Sequence, residues 1–126
     1  MGNARMQLGK RGEEEACRFL LNSGHEILDR NWRSGHLEID IVTLDSAGVH
    51  FVEVKSRVAP VSADPLESVG WTKQGRIAAA AKAWLHSDRK KGLHDVEVFF
   101  DVVSVLFDGD DIKLDYYPQA YIPVRL

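Results

Sequence analysis

Cysteine is nearly absent. Cys17 is the single one in 126 residues, so no internal disulfide can form and a reducing, cytoplasmic setting is expected. Long apolar runs are missing as well. No stretch approaches the ~18 residues of a membrane span, and the N-terminus lacks a signal peptide's apolar core, so no membrane partner is expected. The five histidines (His25, His36, His50, His86, His94) stand in no H-x-x-x-H spacing and no C-x-x-C pair accompanies them, which argues against a zinc site. No repeat or low-complexity segment appears. Positive charge is also short: 16 Lys and Arg face 19 Asp and Glu, whereas domains devoted to sequence-independent nucleic-acid binding are more often basic.

What is present is an ordinary globular composition, 44% apolar and 28% charged, which supplies a core and excludes a largely disordered chain. The length suits one domain spanning 1–126. Charge is unevenly spread. Residues 71–92 carry six basic side chains (Lys73, Arg76, Lys82, Arg89, Lys90, Lys91) against one acid, while the stretches on either side are acidic. On charge alone the basic run reads as a solvated helix face.

The spacing of Leu8, Gly12, Ala16, Phe19 and Leu20 predicts a helix over 8–23 that stops near Gly24. A short strand is expected over 26–33. Two stronger strands follow at 37–44 and 49–57, joined by Asp45-Ser46-Ala47-Gly48 as a hairpin. The segment 58–70, with Pro60, Pro65 and Gly70, reads as a loop or mobile flap. A second helix over 71–87 carries Ile77, Ala81, Trp84 and Leu85 on one stripe. Strands over 96–107, apolar on both faces and hence central, and 112–117 complete the order α-β-β-β-α-β-β. This predicts an α/β or α+β domain with helices on a mixed sheet.

The hairpin carries the chemistry. Alternation puts Glu38 and Asp40 on one face, Glu53 and Lys55 on the same face of the next strand, and Ile39, Ile41, Val52 and Val54 on the other. A turn symmetric about Ser46-Ala47 sets Asp40 opposite Glu53 and Glu38 opposite Lys55. Like charges directly opposed cost roughly 0.2–1 kcal/mol, and paired, partly buried carboxylates either take up a proton or bind a cation. A hard ion such as magnesium, with manganese as its substitute, resolves the conflict. Asp40, Glu53 and the Val54 carbonyl are the expected ligands. Lys55 is placed to orient a water or to stabilise the phosphorus centre, and Glu13, on the inward stripe of the first helix, is a further acid needing a partner. The plain alternative is that charges alternating with Val and Ile are what any half-exposed strand shows, and D-x12-E-x-K alone is a weak signal.

Several elements in order make a stronger signal: G-E-x-x-A (Gly12, Glu13, Ala16), R-N-x-R (Arg30, Asn31, Arg33), E-I-D-I from Glu38, F-V-E-V-K-S-R from Phe51 and F-D-V-V from Phe100. Over about 9–107 the chain resembles the YraN-like bacterial proteins, placed in the PD-(D/E)XK, restriction-endonuclease-like superfamily and distantly similar to archaeal Holliday-junction resolvases. The resemblance implies a three-layer nuclease domain with Asp40, Glu53 and Lys55 as its core and Glu13 as the helix carboxylate. Glu38 matches a characteristic position, for which pairing with Lys55 is the expectation. Lys73 and Gln74 match a K-Q element where a lysine approaches phosphate. Arg30, Asn31 and Arg33 either touch phosphate or fix the strand and turn. Two positions depart from the pattern: Leu37 replaces a glycine and Phe99 an arginine.

Two functional readings follow. One is a magnesium-dependent nuclease cutting phosphodiester bonds, with branched, flapped and single-stranded DNA as the substrates to try. The other is a catalytically silent module that binds nucleic acid or a protein through Lys73, Arg76 or Lys82. A single-sided site on duplex DNA leaves room for a homodimer. Trp71 and Trp84 are expected in the core rather than at an interface, and Cys17 as a small buried hydrophobe rather than a nucleophile.

Overall fold

The computed structural model describes residues 3–61, 66, 69–87, 93 and 96–122. Residues 62–65, 67 and 68 of the 58–70 loop, and the Arg89-Lys90-Lys91 run, lie outside the described residues. The elements are α1 (Asn3–Asn22), β1 (Glu26–Ser34), β2 (Leu37–Leu44), β3 (Gly48–Val58), α2 (Trp71–Leu85), β4 (Glu97–Asp108) and β5 (Asp111–Tyr117), in the order expected. One five-stranded sheet runs β1-β2-β3-β4-β5. All neighbours are antiparallel except β3 and β4, which are parallel because α2 provides the crossover between them.

The helices take opposite faces of this sheet. Ala16, Cys17 and Leu20 of α1 pack on Ile41, Val52, Val103, Val105 and Phe107. Ala80, Ala81 and Trp84 of α2 pack on Ile39, Val42, Val49, Phe51 and Phe100. The result is an α/β domain of three layers, the architecture expected of a restriction-endonuclease-like fold. Trp84 is fully buried, as expected, and its indole N–H donates to Asp29 at 2.8 Å. Trp71 corrects the expectation: it is 77% exposed, because it opens α2 nearly two turns before Ile77, where the stripe that reaches the sheet begins.

Local chemistry sets the boundaries. α1 ends where Gly24 adopts φ 94°, and the His25 N–H returns to the Leu20 carbonyl at 2.9 Å. Asp45 builds the β2–β3 turn by accepting the Ala47 and Gly48 N–H groups at 2.9 and 3.1 Å. The hairpin register is the one symmetric about Ser46-Ala47, from Leu44↔Val49 to Ile41↔Val52.

Strict alternation fails at one place. Ile41 joins the α1-facing core but Ile39 the α2-facing one, so the expectation that both share a face is wrong. The reversal falls between the Arg30↔Ile41 and Trp32↔Ile39 pairs, where Asn31 takes the left-handed φ of 51° opposite Asp40. An Asn tolerates that conformation better than most side chains. A second irregularity in β1, between Ile27 and Asp29, lies one turn of pleat earlier. No helix among the described residues is long and apolar enough to cross a membrane.

Candidate active site

Asp40 stands at the strand reversal, one position beyond the last paired rung of the β2–β3 hairpin. There the strands part, and the Asp40 carboxylate takes over the ladder's role by accepting the Val54 N–H at 2.9 Å. The side chain is thereby fixed between two hollows. One, of about 520 Å³, is lined by Glu38, Asp40, Glu53, Lys73 and Arg76 among others. The second, of about 400 Å³, is lined by Arg5, Glu13, Asp40, Val54 and Lys55 among others.

α1 brings Glu13 to this junction because Gly12 lets the helix lie directly on β3. A Cβ at Gly12 would fall on the Ser56 hydroxyl and within 2.8 Å of its Cβ. Glu13 is half-buried while Glu14 is exposed, as helical spacing predicts. Glu14 instead receives a hydrogen bond from Arg30 at 2.9 Å, anchoring β1 to α1.

The acids are under electrostatic stress. Burial pushes the Asp40 carboxyl from 3.8 up to about 7, the Val54 N–H opposes the rise, and Glu53, Glu13 and Glu38 add to it. Burial also raises Glu13, against the pull of the Arg30 charge and a hydrogen bond to Asn31. Two carboxylate oxygens, Glu13 Oε1 and Glu53 Oε2, are buried without a hydrogen-bond partner among the described residues. Such atoms carry a desolvation cost that no hydrogen bond of their own offsets.

Cations gather on the remaining oxygen of Glu53. Its Oε1 pairs with Lys55 Nζ at 3.4 Å and, more closely, with Lys73 Nζ. Burial, reinforced by the neighbouring Lys73, lowers the Lys55 ammonium below its ordinary value. Lys73 moves the opposite way: burial works against its charge, but contact with Glu53 overrides this.

Several expected partnerships change. Glu38 does not pair with Lys55. It faces Arg33, its cross-strand neighbour on β1, at 3.6 Å, because the β2–β3 ladder has already opened where Lys55 would meet it. Arg30 and Arg33 pair with carboxylates of α1 and β2, Glu14 and Glu38. Gln74 donates to the Val69 carbonyl at 2.9 Å and secures the approach to α2. Phe99 stacks on the His50 ring with centroids 4.8 Å apart, and Leu37 packs with the α2-facing core. Cys17 is a buried thiol, raised by burial, with no activating base among its recorded contacts.

One grouping was invisible in the sequence. His25, Asp45 and His50 place their ligand atoms within 4.8 Å of one another, an arrangement able to hold a metal ion. The expectation of no such histidine site rested on local spacing. The three residues come from the α1–β1 link, the hairpin turn and β3, so only the fold brings them together.

Comparison with known proteins supports the motif reading. The model of a family described as "Uncharacterised protein family UPF0102" matches residues 12–105. The chain is 42% identical to a UPF0102 protein of Rhodococcus jostii over 117 residues, covering 92% of this chain and 97% of that one. It is 37% identical to one of Bacteroides thetaiotaomicron, covering 93% of each. A third relative, from Trichlorobacter lovleyi, is 37% identical over 96% of this chain and 94% of its own. With the family model matching most of the chain and relatives alike over nearly their full length, the chain belongs to the UPF0102 family.

Proposed function

We propose that this protein is a divalent-metal-dependent phosphodiesterase acting on DNA, with Asp40, Glu53, Lys55 and Glu13 as its working residues. The observation that carries this reading is the pair of orphaned buried oxygens, Glu13 Oε1 and Glu53 Oε2, beside an aspartate held near half-protonation at neutral pH. Buried carboxylate oxygens left without a hydrogen-bond donor beside a perturbed acid are a signature of functional sites.

Asp40 and Glu53 line the same hollow, and their chemistry suits a hard cation. Asp40, Glu53 and the Val54 carbonyl offer oxygen donors only, the set that magnesium or manganese takes. A bound ion would supply Lewis acidity toward a phosphate oxygen and lower the pKa of a water molecule. The chain's own side chains do the rest. Asp40 is oriented by the Val54 N–H and does not swing. Lys55, with its ammonium weakened, can hold a nucleophilic water by hydrogen bond and pass or accept a proton at Nζ. Lys73 and Arg76 line the larger hollow and offer positive charge to a phosphate. Trp71, exposed two residues before Lys73, offers a flat face on which an unpaired base can stack.

The test is cleavage of flapped, branched and single-stranded DNA by the purified chain, with magnesium and with chelator. Metal-dependent cleavage lost in Asp40→Ala and Lys55→Ala is expected. Absence of both cleavage and divalent-metal binding across these substrates overturns the proposal. The Lys73–Glu53 contact favours a second reading, in which an internal cation fills the site and the fold only binds nucleic acid. That reading predicts salt-dependent DNA binding that survives Asp40→Ala and fails when Lys73, Arg76 or Lys82 is neutralised.

A further inference from the structure

The opposite end of the β2–β3 hairpin holds a convergence that the nuclease reading does not use. His50 Nε2 lies 2.8 Å from Asp45 Oδ1, and His25 Nε2 lies 3.5 Å from Asp45 Oδ2. The two imidazole rings are 4.6 Å apart between centroids. Both histidines therefore present the same nitrogen to one carboxylate.

Their other nitrogens are occupied. His25 Nδ1 is 2.7 Å from Thr43 Oγ1, and His50 Nδ1 is 2.6 Å from Asp101 Oδ2. Asp101 is fully buried and is itself fixed by the Tyr116 hydroxyl at 2.5 Å and the Gln119 N–H at 2.9 Å. An oxygen partner on the second ring nitrogen is what metal-bound histidine ordinarily has, because it sets the tautomer and the plane of the ring. Phe99 stacked on His50 restricts that ring further.

We propose that His25, Asp45 and His50 form a second metal site, selective for zinc and like transition ions. Two imidazoles and one carboxylate suit a borderline ion that accepts nitrogen in tetrahedral geometry, and suit magnesium poorly. The side chains of the histidines are 5% and 6% exposed while that of Asp45 is 22% exposed. An ion can thus enter past Asp45, and a water can complete the fourth position there. Bound metal would tie the α1–β1 link and the hairpin turn to β3. The cluster stands at the turn end of the hairpin and Asp40 beyond its last rung at the open end, so the two sites are separate along the strands.

The test uses the full chain without an affinity tag, stripped by chelator and then titrated with zinc and with cobalt. One zinc per chain retained after desalting, a raised Tm and the visible absorption of tetrahedral cobalt are expected. His50→Ala and His25→Ala should abolish retention. Should either fail to fold, Thr43→Val decides, since it keeps every ligand and should weaken zinc about tenfold through the loss of ring orientation. Asp40→Asn should bind zinc as the parent does. Zinc content near zero, affinity unchanged in Thr43→Val, or zinc lost in Asp40→Asn would each overturn the site. The first outcome leaves the cluster a metal-free hydrogen-bond network, the second places the ion away from the Thr43-oriented ring, and the third puts it in the acidic cleft.

Discussion

Asp40→Asn separates function from stability and should move them in opposite directions. In the folded chain the Asp40 carboxyl holds its proton up to about 7 instead of the usual 3.8. Each factor of ten in proton affinity corresponds to about 1.4 kcal/mol, so ionising this group in the metal-free fold costs up to ~4 kcal/mol. The sign follows from the raised value. Below pH about 4 folded and unfolded chains both carry the proton, and nothing is lost. Between 4 and 7 only the folded chain keeps it, and stability falls as pH rises; above 7 the loss is complete. Asparagine still offers the Val54 N–H an acceptor but never ionises. In chelator at pH 8 the variant should therefore be more stable than the parent by about 2–4 kcal/mol, or about 8–15 °C in Tm. At pH 4 the difference should vanish. Magnesium should raise the parent's Tm and leave the variant's unchanged. The measurement is thermal unfolding across pH with and without metal. A variant less stable than the parent at pH 8, or stabilised by magnesium to the same extent, refutes the reasoning.

Three further perturbations have defined outcomes. Gly12→Ala forces its Cβ onto Ser56; overpacking costs about 1–3 kcal/mol against a helix gain near ~1, so urea unfolding should shift to lower concentration. Adding Ser56→Gly should restore the midpoint, and no rescue refutes the contact. Trp71→Ala should leave stability within ~0.5 kcal/mol of the parent because the side chain is 77% exposed. Its affinity for single-stranded DNA should nonetheless drop by roughly 1 kcal/mol or more in a fluorescence titration. Lys73→Met removes the internal cation from Glu53. As a half-exposed pair is worth at most ~1 kcal/mol, calorimetry should show magnesium binding a few-fold tighter and DNA binding weaker; weaker magnesium binding would show that Lys73 supports the site.

Much of this architecture can be read from periodicity and punctuation. The apolar stripe of α1, the Asp45-to-Gly48 turn and the doubly apolar β4 each have a single reading, and the hairpin register follows from where the turn sits. The acids at 40 and 53 are legible for the same reason: burying charge within a β-branched run is costly enough to signal itself. What stayed hidden depends on geometry that sequence does not encode locally. Asn31 reverses the facing of two strands without a glycine to announce it, and so Ile39 leaves Ile41 and Glu38 leaves Lys55. Trp71 misleads because helical spacing does not say which turn overhangs the sheet. His25 and His50 are 25 residues apart in the sequence, and no short-range spacing can report a site assembled by tertiary contact.

The two irregularities in β1 have a consequence for self-association. As an outer strand it would otherwise offer open hydrogen-bonding groups to a second molecule, the route by which sheets grow into aggregates. A register shift at Ile27/Asp29 and a left-handed residue at Asn31 break that rim into pieces too short and too twisted to template a straight neighbour. The residues that steer Asp40 into its cleft thus also blunt the β1 side of the molecule, and copies that meet in solution must do so through surfaces other than a shared ribbon along this edge.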